Sequence, residues 1–122
     1  MYLTGEQELY DVQLALVEIG CKITEQLKDI DIDSSFTLLK LVDNAIRHRY
    51  GESYIEKRSK PNCLYLGKVN DKTYYKCKWV IGKIKDVVII MEVEVIKKSD
   101  DKLRFNAVML YPLREEETRY HA

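Results

Sequence analysis

From Thr73 to Tyr111 one set of alternate residues is almost wholly hydrophobic: Tyr75, Cys77, Trp79 and Ile81, then Val87, Ile89, Met91, Val93 and Val95, then Leu103, Phe105, Ala107, Met109 and Tyr111. A period of two is that of a β-strand, because successive side chains point to opposite faces. The opposite set carries a second apolar patch, Val80, Val88, Ile90, Val108 and Leu110. A sheet in a small domain normally buries one face and wets the other. Two apolar faces call for two coverings. The pattern therefore predicts self-association or a partner on the second face, with those five residues as the candidate interface and a helix of the same chain as the alternative cover.

Upstream the period changes from two to that of a helix. Thr4 with Gln7 fits a capping box, and Glu6 and Glu8 suit a helix N-terminus. Leu9, Val12, Leu16, Ile19, Ile23, Leu27 and Ile30 then recur at helical spacing, with Tyr10, Leu14, Val17 and Cys21 as a second stripe beside them. This predicts one helix over about 4–29, wide enough in its apolar face to be covered by the sheet and by something else. Residues 29–35 read as a linker ending in the N-cap candidates Ser34 and Ser35. A second helix is expected over 36–50, with Leu38, Leu39, Val42, Ala45, Ile46 and Tyr50 inward and Gly51 as C-cap. Asp43 and Arg47, four apart, can pair on its outer face.

Strands are expected over 63–69, 73–81, 87–97 and 103–111, with a tight hairpin at Asn70-Asp71, a stop at Pro112 and a charged tail over 113–122. The fold class is α+β: two N-terminal helices followed by a four-stranded antiparallel β-meander in a single domain. One sheet face is covered by helix and the other is partly apolar. Keeping like faces together sets Trp79 opposite Ile89, Cys77 opposite Met91, Val93 opposite Phe105 and Met109 opposite Ile89. The outer face then divides into an apolar half and a charged half that holds Tyr74, Lys76, Glu92, Glu94, Arg104 and Asn106.

Composition narrows the chemistry. The 122 residues are 46% hydrophobic and 33% charged, with 20 Lys+Arg balancing 20 Asp+Glu. Zero net charge counts against broad DNA binding, which draws its affinity from neutralising phosphates. Cys21, Cys63 and Cys77 are odd in number, form no CxxC and have no His nearby, so buried reduced thiols are expected rather than a disulfide framework or a zinc site. Reduced thiols and the lack of a signal-peptide pattern suit a cytoplasmic protein. No apolar run approaches the ~20 residues of a membrane helix. Phosphate-cradling, dinucleotide and nucleophile-elbow motifs are absent, and His48 and His121 stand without supporting spacing. Enzyme chemistry is therefore the minority reading, and no metal or cofactor is expected.

Two groups of residues carry candidate ligand chemistry. On the outer face, Lys76, Arg104 and Asn106 stand among Glu92 and Glu94, where cross-strand ion pairs are the ordinary alternative. Around the end of the second helix, Arg47, Arg49, Lys57 and Arg58 are interleaved with Tyr54. Arg and Lys meet phosphate oxygens and Tyr stacks on a base. At the C-terminus, Arg114 and Arg119-Tyr120-His121, behind helices and a meander, resemble the messenger-cleaving toxins of the RelE type. That resemblance implies phosphoryl chemistry on RNA. The chain departs from it in its neutrality and in Glu115-Glu116-Glu117, which would repel the substrate.

The leading expectation is a small non-catalytic binding module, a homodimer or larger assembly, that captures a phosphorylated small molecule such as a nucleotide or nucleotide-derived signal, or blocks a protein partner. Phage or prophage accessory proteins that sequester a signal or oppose a host defence have this size and plainness. A RelE-like ribonuclease, and a structural adaptor or immunity protein, are the alternatives.

Overall fold

The computed structural model describes residues 5–30, 32, 34–51, 60–84, 87–100 and 102–114. Two helices, α1 (Gly5–Gln26) and α2 (Ser35–Tyr50), precede four strands, β1 (Asn62–Val69), β2 (Lys72–Ile84), β3 (Val87–Lys97) and β4 (Leu103–Arg114). The strands form one antiparallel sheet in the order β1-β2-β3-β4. This is the expected α+β architecture.

Local chemistry sets the element ends. Ser34, in extended conformation, accepts a hydrogen bond from the Thr37 amide at 3.2 Å and so caps α2. Gly51 ends that helix at φ 81°, in the left-handed region, and donates to the Arg47 carbonyl at 2.7 Å. Asn70 takes φ 57° in the two-residue turn between β1 and β2. α1 stops at Gln26, three residues short of expectation, and a turn follows it. Thr4, half of the expected capping box, lies outside the described residues.

β4 continues through Pro112 to Arg114, where a stop was expected. The reason is its place at the sheet edge. Val108 directs its N–H and C=O away from β3, toward α1. Two-residue periodicity then points the nitrogens of Leu110 and Pro112 the same way. The missing N–H of Pro112 costs no bond in the ladder, and an edge strand tolerates it.

The register differs from the expected one in a way that matters. Trp79 lies opposite Met91, Cys77 opposite Val93, Val95 opposite Phe105 and Ile89 opposite Pro112. Each of the three strand pairs contains a bulge, at Leu66, Ile81 and Asn106. Beyond the one at Asn106, β4 presents Val108, Leu110 and Pro112 inward and Ala107, Met109 and Tyr111 outward. Val108 (6% exposed) and Leu110 (0%) therefore belong to the core beneath the helices, not to the second face. One extra residue exchanges the two faces of a strand.

The core lies between the helices and one face of the sheet. Leu16, Ile19, Ile23 and Leu27 of α1 join Leu38, Val42 and Ile46 of α2, and both sets pack with Cys77, Trp79, Ile81, Ile89, Met91, Val93, Phe105 and Leu110. Both helices thus cover the same face, and α2 does not reach the second one. The Trp79 indole N–H has no hydrogen-bond partner among the described residues, a cost of about 1–3 kcal/mol.

α1 packs along β4, and Gly20 is what lets it approach. A Cβ at Gly20 would stand 3.2 Å from the Val108 carbonyl oxygen and 3.4 Å from the Leu110 nitrogen. One turn on, the Thr24 hydroxyl accepts from the Val108 amide at 3.0 Å and lies 3.2 Å from its carbonyl oxygen. The hydroxyl also lies 2.8 Å from the Gly20 carbonyl oxygen, which competes for its one proton, so what the helix satisfies at the middle of the edge strand is the outward Val108 amide.

Cys63 and Cys77, opposite one another in the ladder, are joined by a disulfide, and Cys21 is exposed on α1. Three reduced, buried thiols were expected. The hairpin accounts for the pair. Continued without a bulge from Val69 opposite Lys72, it would set Cys63 against Lys78. The extra residue Leu66 shifts the register by one and brings Cys63 to Cys77.

Candidate functional site

The expected ligand-binding residues fall in separate places. Tyr54, Lys57 and Arg58 lie outside the described residues, as do Arg119, Tyr120 and His121. Arg47 reaches Asp43 at 3.5 Å, the pairing expected from their spacing, although Asp43 is buried rather than on an outer face. Arg49 lines a cleft of about 450 Å³ between α1 and α2, together with His48, Asn44 and the ion pair of Lys22 and Glu18. Arg114 ends β4.

Lys76 and Asn106 stay on the open sheet face, and both are engaged there. Lys76 sits 3.6 Å from Glu92, and Asn106 donates to Glu94 at 3.1 Å. Tyr111, carried to this face by the bulge, donates its hydroxyl to Glu92 at 3.0 Å, and the Lys78 ammonium approaches its ring. Desolvation by burial, then the hydrogen bond to Glu92 and the charge of that carboxylate, push the Tyr111 phenol up to about 12. A phenol so placed keeps its proton at neutral pH and is no general base. This group is a set of mutually satisfied cross-strand contacts.

Arg104 belongs to a second cleft, of about 350 Å³, below the end of α1 and beside the β3–β4 turn. Lys28, Lys98, Lys102 and Arg104 face it, with Asp29 as the one carboxylate among the described lining residues. Lys28 leans to Glu25 at 3.3 Å and Lys102 to Asp100 at 4.0 Å, all well exposed, so water screens both pairs. Among the described residues neither Lys98 nor Arg104 has an ion-pair partner. Leu27, Ile30, Ile32 and Phe105 supply an apolar wall. The sequence hid this grouping because two distant stretches, 27–32 and 98–105, meet only when α1 closes over the β3–β4 turn. Its single trace was the clustering of Lys97, Lys98 and Lys102 around that turn.

Of the five expected interface residues only Val80 stands exposed, at 42%. Val88 and Ile90 lie on the second face, outside the main core cluster, yet they too are buried. The larger exposed apolar surfaces are elsewhere. Tyr10, Leu14 and Val17 form an outer stripe on α1, and Leu64, Tyr65, Leu66 and Val69 stand out along β1.

Among the described residues no group of three His, Cys, Asp or Glu side chains gathers as a metal site, and no helix is long and apolar enough to cross a membrane. The fold and its clefts define a two-layer α+β domain with helices on one face of an antiparallel meander. Comparison with protein-family models, with curated proteins and with solved structures gives no match.

Proposed function

We propose that the chain is a non-catalytic binding module that holds a phosphorylated small molecule in the basic cleft beside the β3–β4 turn. The observation that carries this reading is the local charge. In a chain of zero net charge, the described residues that line this cleft include four cations and one carboxylate, and among the described residues Lys98 and Arg104 make no ion pair. Arg104 suits bidentate contact with phosphate oxygens, and the lysines add point charges around it. The apolar wall suits the organic part of such a ligand. About 350 Å³ is near the lower end of small-molecule pockets, which favours a mononucleotide-sized compound.

The test is a thermal-shift and calorimetric screen with pyrophosphate, nucleoside monophosphates and cyclic nucleotides. A ligand at a hundredfold excess over its dissociation constant stabilises the fold by about 2.7 kcal/mol. Arg104→Glu should weaken binding roughly tenfold or more, since a charge-assisted hydrogen bond contributes about 1.5–3 kcal/mol. If no phosphate compound raises the melting temperature, or if Arg104→Glu and Lys98→Glu bind as the unaltered protein does, the reading is wrong.

A further inference from the structure

We propose that β1 is a self-pairing edge: it adds antiparallel to β1 of a second copy and joins two four-stranded sheets into one. The argument starts from the two rims of the sheet. At β4 the outward amide of Val108 is taken by Thr24, and α1 lies against the strand. At β1 the side chains stand out instead, with Leu64 65%, Tyr65 59% and Leu66 55% exposed. Soluble proteins usually blunt such an edge with charges, proline or a covering element. From Asn62 to Gly67 this strand carries no charge and no proline.

The backbone fixes the register of the pairing. Cys63 and Cys77 have their Cα atoms 4.0 Å apart, the close spacing of a pair that does not exchange hydrogen bonds. The N–H and C=O of Cys63 therefore point away from β2, and those of Tyr65 do the same two residues on. In an antiparallel pair these groups meet when Cys63 exchanges hydrogen bonds with Tyr65 of the copy, and Tyr65 with Cys63. Leu64 then faces Leu64 across the twofold axis on the open side of the sheet. On the helix-covered side, Tyr65 of each copy packs beside the Cys63–Cys77 bridge of the other. The bulge at Leu66 and Gly67, with Gly67 at φ 153°, ends the pairing there.

Two features make the occupant a second copy. The strand is self-complementary in this register, matching apolar to apolar on both faces, and zero net charge puts no long-range repulsion between copies. The area sets the strength. Leu64 and Tyr65 are each more than half exposed, but a pairing of so few residues covers less than the ~800 Å² that a stable interface takes from each partner. The paired backbone adds to that, so the dimer forms and also dissociates on dilution. None of this depends on the phosphate cleft, which lies at the other rim.

Sedimentation equilibrium under non-reducing conditions, over a wide concentration range, tests the proposal on three proteins. The unaltered chain should pass from monomer to dimer. Leu64→Lys should remain monomeric throughout with an unchanged unfolding midpoint, since Leu64 is exposed in the single chain. Leu14→Lys, on the outer stripe of α1, should dimerise like the unaltered chain. An unaltered chain that stays monomeric at every concentration overturns the proposal. So does a dimer that survives Leu64→Lys, or one lost in Leu14→Lys but kept in Leu64→Lys.

Discussion

The two rims of the sheet differ in how their backbone is finished. β4 is closed by the chain itself: Gly20 brings α1 close, and Thr24 meets the outward amide of Val108. β1 is fastened to β2 by a ladder and a disulfide, and its apolar side chains face outward. One rim is finished by packing and the other by covalent attachment. Stability should therefore respond to different changes at each, and association should belong to β1 alone.

The largest effect is expected at β1. The Cys63–Cys77 bridge closes a separation of 14 residues, and a loop of that size corresponds to about 3 kcal/mol of chain entropy removed from the unfolded state. Denaturant titration with and without reductant should show a loss of that order. A negligible loss would mean that the ladder alone fastens β1.

Changes at β4 should act through packing and hydrogen bonding. Gly20→Val places methyl groups where even a Cβ would press on the Val108 carbonyl, and overpacking of this kind costs about 1–3 kcal/mol. Thr24→Val keeps the shape but leaves the Val108 amide without its partner, at about 1–3 kcal/mol. If both variants unfold with the unaltered protein, α1 does not close that rim.

The smallest effect is a pH dependence on the open face. Tyr111 has a folded-state value of about 12 against an ordinary 10, so the folded protein holds the phenol proton more tightly than the unfolded chain. Its contribution is complete below pH 10 and is lost as the pH rises from about 10 to about 12. Replacement by Phe should remove that part of the alkaline decline. An alkaline profile identical in Tyr111→Phe would contradict the account.

Much of this fold was legible because periodicity survives small errors of register. The α2 caps Ser34 and Gly51, the turn at Asn70 and the core stripe of Leu16, Ile19 and Ile23 follow from local chemistry, and the structure places them as read. What could not be read were the bulges. The insertion at Asn106 sent Val108 and Leu110 under the helices and brought Tyr111 to the open face, while the one at Leu66 set Cys63 against Cys77. A bulge depends on the partner strand and on what packs above it, so it leaves little trace in a single strand's pattern. The basic cleft was hidden for a related reason. Lys28 and Arg104 are far apart in sequence, and only the seating of α1 on β4 brings them together.

The contrast between the rims is tested most directly by amide hydrogen exchange at single-residue resolution, at low and at high protein concentration. The Val108 amide should exchange slowly at both concentrations, and so should that of Leu64, which faces β2. The amides of Cys63 and Tyr65 should exchange fast in dilute protein and slow down as concentration rises. Cys63 and Tyr65 amides whose exchange ignores concentration, or a Val108 amide as fast as theirs, would contradict the account.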